Sequence, residues 1–170
     1  MRKWDEILAV DQVLRYIGRP AFPIFCFLLV QGFIHTHDVK RYAIRLGIFA
    51  LISEVPFDLA LHIRPFYPEK QNVFFTLLIG LLVIWFFRTH KNTLPVRAAG
   101  IVAGAALAEL LHTDYGGFGV ALIVLLYLLK DRKKRQCILG ACCCAWETTA
   151  PLAFLLIWFY NGQRGRQPRW

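Results

Sequence analysis

Two carboxylates one helical turn apart, Glu54 and Asp58, close an apolar run in the segment Ser53-Glu54-Val55-Pro56-Phe57-Asp58. Residues four apart share a helical face. An ionised side chain at a bilayer centre costs about 2.5–3.5 kcal/mol on insertion scales, so acids in such a run need a partner or a task. Pro56, between them, frees a backbone carbonyl and can open the helix where polar groups or water satisfy it. A second group follows the apolar stretch ending at residue 112: Glu109, His112 and the turn Asp114-Tyr115-Gly116-Gly117. Carboxylates beside an imidazole suit general-base chemistry, with His112 accepting the proton of an amine or hydroxyl and an acid orienting it. The plainer alternative is a set of interfacial residues ending their helices, with Asp114 as a turn residue.

A third group is His35-Thr36-His37-Asp38, followed by Arg41 and Arg45. His-x-His with one acid lacks a third, distant ligand, so no metal is expected there. Arg41 and Arg45 form a basic mouth suited to the phosphates of an anionic donor such as a nucleotide-bearing thioester, since arginine binds phosphate bidentately. The competing explanation is loop charge with snorkelling side chains. Glu147, inside the last apolar stretch, reads as a helix–helix hydrogen-bonding residue. The chain has no Gly-rich phosphate loop, no His-Glu-x-x-His and no Gly-x-Ser-x-Gly.

The elements that must carry these groups are apolar helices. Of the 170 residues, 57% are hydrophobic, and the mean hydropathy is +0.47, too apolar for an ordinary soluble domain of this size. A spanning helix needs about 20 mostly apolar residues, and on that measure the expected spans are 20–35, 42–62, 72–88, 95–112, 116–129 and 136–160. The expectation is therefore an all-α, polytopic transmembrane bundle of about six spans over residues 20–160. An amphipathic interfacial segment over 1–19 precedes it, and a basic tail over 161–170 follows. Gly100 and Gly104, with Ala99, Ala103 and Ala106, form a small-residue face that lets another helix approach closely, whether in this chain or in a second copy or helical partner.

The net charge of +9 comes largely from basic residues between apolar runs, so the expected partner is the lipid bilayer and not nucleic acid. Residues 35–45, 88–97 and 130–135 hold most of the internal loop charge, and the positive-inside rule puts them in the cytoplasm. That leaves the basic termini outside, as though a further helix were missing at an end. Cys26, Cys137 and the triplet Cys142–Cys144 lie in apolar runs and read as small buried thiols, not a disulfide framework.

Ile17-Gly18-Arg19-Pro20-Ala21-Phe22-Pro23, Gly32-Phe33-Ile34-His35-Thr36 and Phe49-Ala50-Leu51-Ile52-Ser53-Glu54-Val55-Pro56-Phe57-Asp58 together resemble the TraX family of bacterial membrane proteins. So do Asn72-Val73-Phe74-Phe75-Thr76-Leu77, the stretch from Ala108-Glu109 to Asp114-Tyr115-Gly116, and Tyr160-Asn161-Gly162-Gln163-Arg164-Gly165, all in the family's order. The resemblance implies a multi-pass protein of the bacterial cytoplasmic membrane. It also implies acetyl transfer from acetyl-CoA, as co-substrate, to an amine or hydroxyl of a pilin-like or envelope acceptor. Family members usually open with a helix bearing an Asp-His pair and continue past Asn-Gly-x-Arg-Gly, so a chain lacking the usual first and last helices is expected. On this reading Arg41 and Arg45 meet the donor, and His35 or His37 takes part in transfer from the thioester. Glu54, Asp58, Glu109, His112 and Asp114 line the acceptor end. The alternatives are a proton- or ion-coupled transporter using the same acids and a non-catalytic envelope-assembly factor.

Overall fold

The computed structural model describes residues 16–62, 71–90 and 93–162, and among these the regular elements are helices. After a helical turn at 16–18, seven α-helices follow. They are α1 (Ala21–His35), α2 (Val39–His62), α3 (Val73–Thr89), α4 (Leu94–Leu110), α5 (Gly116–Leu128), α6 (Lys133–Cys143) and α7 (Ala153–Phe159). A 3-10 turn, Ala150–Leu152, leads into α7. Helices α1 to α5 follow the first five expected apolar stretches to within a few residues. The expected interfacial segment before residue 16 and the tail beyond residue 162 lie outside the described residues.

The sixth expected stretch is divided. Residues 144–149 form turns between α6 and the 3-10 turn, so 136–160 is not one continuous helix. Pro151 supplies no N–H and stands at the start of the 3-10 turn, while Thr148 and Thr149 add β-branched side chains that helices disfavour. The two pieces fold onto each other, with the Phe154 ring against Gly140.

Helices α3 and α5 are apolar on nearly every face and form the centre, since a helix hydrophobic all round must be covered on all sides. Leu81, Ile84, Val120, Ile123 and Leu126 are fully buried between them and their neighbours. Helix α1 covers one side of them, with α7 packed on α1 and α6; α4 packs on both central helices, and α2 lies along α3. Small residues set the closeness: Ile123 fills the space above Gly80, Val83 that above Gly104, and Phe86 that above Gly100. The small-residue face of α4 thus receives α3 of the same chain.

Away from these seams the surface is apolar. Ile44, Ile48, Leu51, Ile52 and Leu59 of α2 are exposed, as are Val102, Leu107 and Leu110 of α4 and Leu155, Leu156 and Phe159 around α7. The helix Tyr16–His35 is long and apolar enough to cross a membrane; Val73–Thr89, Gly116–Leu128 and Ala150–Phe159 are apolar but shorter. Successive helices run up and down, so the chain has two polar ends. Residues 35–41, 88–90, 93–97 and 128–136 gather at the near end. The far end collects Arg19, residues 54–58, Gln71 and Asn72, 109–117 and 146–149.

Candidate functional site at the far end of the bundle

Asn72 organises the first polar group. It precedes α3, and its side-chain oxygen accepts the Phe74 N–H at 3.0 Å, the cap that asparagine makes at a helix start. Its amide nitrogen donates to Glu54 Oε2 at 2.5 Å and to the Ala50 carbonyl at 2.9 Å, and its backbone N–H also reaches Glu54 Oε2 at 3.3 Å. Asn72 is buried, so its side chain spends both donors and its oxygen on fixing α2 to α3. Asp58, one turn along α2, is fully buried. Glu54 Oε1 and Thr76 Oγ1 are buried without a hydrogen-bond partner among the described residues. Such atoms are costly in an apolar interior unless a water, ion or substrate meets them.

The second group surrounds a cavity of about 670 Å³, whose lining includes Arg19, Glu109, Asp114, Tyr115, Trp146 and Glu147. Helix α4 ends just before it, and the turn over 111–115 reverses the chain into α5. His112 takes a positive φ of 49° in that turn, and its carbonyl accepts the Gln71 N–H at 3.1 Å, tying the start of α3 to the end of α4. Gly116 also has positive φ, at 47°, and Glu109 lies where its Cβ would be. Glu109 Oε1 accepts the Gly117 N–H at 2.8 Å, so this carboxylate caps the N-terminal end of α5.

Tyr115 stacks on Phe22 with ring centroids 3.4 Å apart. Burial pushes its phenol above the usual tyrosine range; the Glu147 and Asp114 carboxylates and Cys26 add to the shift, and Arg19 opposes it. The loop carrying Trp146 and Glu147 is held from the other side. Arg19 donates to Thr148 Oγ1 at 3.4 Å, Thr149 donates to the Tyr16 carbonyl at 2.7 Å, and Trp146 meets Phe118 edge-on.

The sequence-derived residues therefore divide. Glu54, Asp58, Glu109, His112 and Asp114 all reach the far end, where Glu109 and Asp114 line the cavity and Glu54 joins the Asn72 network. His112 contributes its backbone carbonyl to the fold, and its ring is exposed. His35, His37, Arg41 and Arg45 are at the near end, all exposed. At 1.5 Å per residue, Arg41 and Asp58 stand roughly 25 Å apart along α2. His35 Nδ1 lies 2.8 Å from the Gln31 carbonyl, and Arg41 pairs at 3.1 Å with Asp38, which also caps the Arg41 backbone N–H. Among the described residues no three histidines, cysteines or acids come together as a metal site. Sequence reasoning passed over Asn72, Thr76 and Arg19 as site residues. Asn72 carried a readable signal, an asparagine just before an apolar helical run.

The TraX protein family profile matches residues 6–163 of the chain. A curated relative, described as a probable fimbrial assembly protein FimC of serogroup H1 from Dichelobacter nodosus, is 30% identical over 135 residues. That alignment takes in 75% of this chain and 54% of the relative, so the chain spans about half the relative's length. No solved structure matches.

Proposed function

This chain belongs to the TraX family, and from that premise we propose that it is a multi-pass acyltransferase of the bacterial cytoplasmic membrane. It carries acetyl from acetyl-CoA to an amine or hydroxyl of a pilin-like or envelope acceptor. The observation that carries the reading is the far-end cavity, where Glu109, Asp114 and Glu147 face Arg19 and Tyr115. Three carboxylates beside Trp146 suit a cationic amine, and a carboxylate can take the proton released when the acyl C–N bond forms and the donor's C–S bond breaks. In this reading Asp114 and Glu109 bind and deprotonate the acceptor, with Glu54 and Asp58 behind them. The near end, with His35, His37, Arg41 and Arg45, receives the donor, whose thioester arm enters between the helices. The exposed apolar faces of α2, α4 and α7 support a lipid surround for some six apolar passes, the last one broken. The fimbrial-assembly description of the relative fits an envelope acceptor.

One observation favours a second reading, coupled ion transport: the unpartnered Glu54 Oε1 and Thr76 Oγ1 inside the bundle. Membranes bearing the chain, given labelled acetyl-CoA and envelope extract, distinguish the two. Acyl transfer yields covalently labelled product that falls at least about 100-fold in Asp114→Asn, the low end of what general-base catalysis contributes. Unlabelled acceptor together with donor-independent proton flux favours transport instead.

A further inference from the structure

The near end offers a better place for a phosphate than the two arginines that sequence reasoning selects. Arg41 and Arg45 are exposed on α2, and Arg41 is engaged by Asp38. A cavity of about 300 Å³ instead opens between the end of α1, the α5–α6 connection and the chain leaving α7, with Gln31, Lys130, Lys133, Gln136 and Tyr160 in its lining. Its two ammonium groups are positioned by the fold: Lys133 donates to the Tyr160 carbonyl, and Lys130 sits 5.2 Å over the Tyr127 ring. Gln136 closes the cavity from inside, buried and anchored by its amide to the Leu126 carbonyl at 2.7 Å. Among the described residues, Asp131 is the one carboxylate in the lining.

The charge order next to this cavity is unfavourable as it stands. Helix α6 begins Lys133-Lys134-Arg135, with no acid in its first turn and no side-chain cap from Arg132. The start of a helix is the positive end of its dipole, where cations are disfavoured and N–H groups need acceptors. An anion seated beside Lys133 would relieve both. A cavity this size lies at the bottom of the range of about 300–1,000 Å³ for small-molecule sites. It has room for a phosphate and the atoms attached to it.

We infer that this cavity binds a phosphate ester through Lys133 and Lys130. The ester is either part of a soluble nucleotide-bearing thioester or a lipid headgroup, and only the former rests on the acyl-transfer reading.

The test uses the full chain in a phosphate-free, non-ionic detergent. Coenzyme A and inorganic pyrophosphate are titrated calorimetrically, and retention of added phosphatidylglycerol is read by native mass spectrometry. Lys133→Gln should weaken whichever probe binds by about tenfold, the worth of one charge-assisted hydrogen bond. Lys133→Arg should largely restore binding, and Lys40→Gln, at an exposed near-end lysine outside the cavity, should change it less than twofold. Lys130→Gln gives a second, independent reading if Lys133→Gln fails to fold. Binding of the soluble probes identifies the donor as the source, and retention of the lipid alone identifies the headgroup. Binding untouched by either lysine change, or no binding of any probe, overturns the inference. Phosphate binding that depends on Lys133, without acetyl transfer in the labelling assay, leaves the cavity standing and removes the acyl-transfer reading.

Discussion

Changing Asn72 tests the far-end network most sharply, because its side chain makes three hydrogen bonds that two substitutions take apart differently. Asn72→Ala removes the α3 cap, worth about 1 kcal/mol. It also withdraws the amide from Glu54 Oε2 and the Ala50 carbonyl, about 1–3 kcal/mol together. The sum of about 2–4 kcal/mol corresponds to a Tm lower by about 4–16 °C for a chain of this size. Asn72→Asp keeps the cap and suits the helix dipole, yet it sets a second carboxylate against Glu54. It should be at least as destabilising at pH 8 and recover as the pH falls and one carboxyl takes up a proton. Thermal unfolding in detergent, followed by near-ultraviolet circular dichroism at pH 8 and pH 5, reads both. If Asn72→Asp stays within about 1 kcal/mol of the parent at pH 8, Glu54 is not the close acceptor of the Asn72 side chain that the geometry describes, and the reasoning fails.

Gly104→Val should cost about 1–3 kcal/mol by overpacking against Val83, whereas Gly47→Ala, with only Leu78 at an ordinary 3.6 Å, should be neutral or gain about 0.5–1 kcal/mol; denaturant titration compares the two. Arg41→Gln should change stability by less than about 0.5 kcal/mol, because its partnership with Asp38 is solvent-exposed, at 79% and 48%. Tyr115 should ionise above the other tyrosines in an absorbance titration near 295 nm, since burial raises its pKa. A raised folded-state pKa favours the protonated folded form, so this contribution is complete below the unfolded value of about 10 and is lost as the pH rises through the folded value. Tyr115→Phe should flatten that alkaline loss.

The helices were largely legible because α1 to α5 are bounded by polar or turn-forming residues: Pro20, Asp38, Asn72, Pro95 and Asp114 each stand at or within a few residues of a helix end. Acids placed among apolar residues marked Glu54, Asp58 and Glu109 for the same reason. Which groups meet was not legible. Periodicity assigns a residue to a face of its own helix but does not say which helix lies opposite, so the bond from Asn72 to Glu54 had no one-dimensional signature. His112 read as an imidazole for chemistry because its type is conspicuous; its positive φ and backbone bond to Gln71 depend on the turn's geometry. The break at 144–149 was signalled by Glu147-Thr148-Thr149 and Pro151, but the apolar residues on either side made the stretch read as one long span. The near-end lysines looked like ordinary loop charge until the fold closed a cavity around them.

Sealed vesicles carrying the chain, with labelled acetyl-CoA inside only and an amine-bearing acceptor outside only, test most directly whether the near end takes the donor while the far end serves the acceptor. The proposed mechanism predicts labelled covalent product on the outside that depends on Asp114 and is absent from vesicles lacking the protein. Product formed only when donor and acceptor share a compartment would contradict the two-ended arrangement. No product in either format, with folded protein and sustained donor-independent proton flux, would contradict acyl transfer itself.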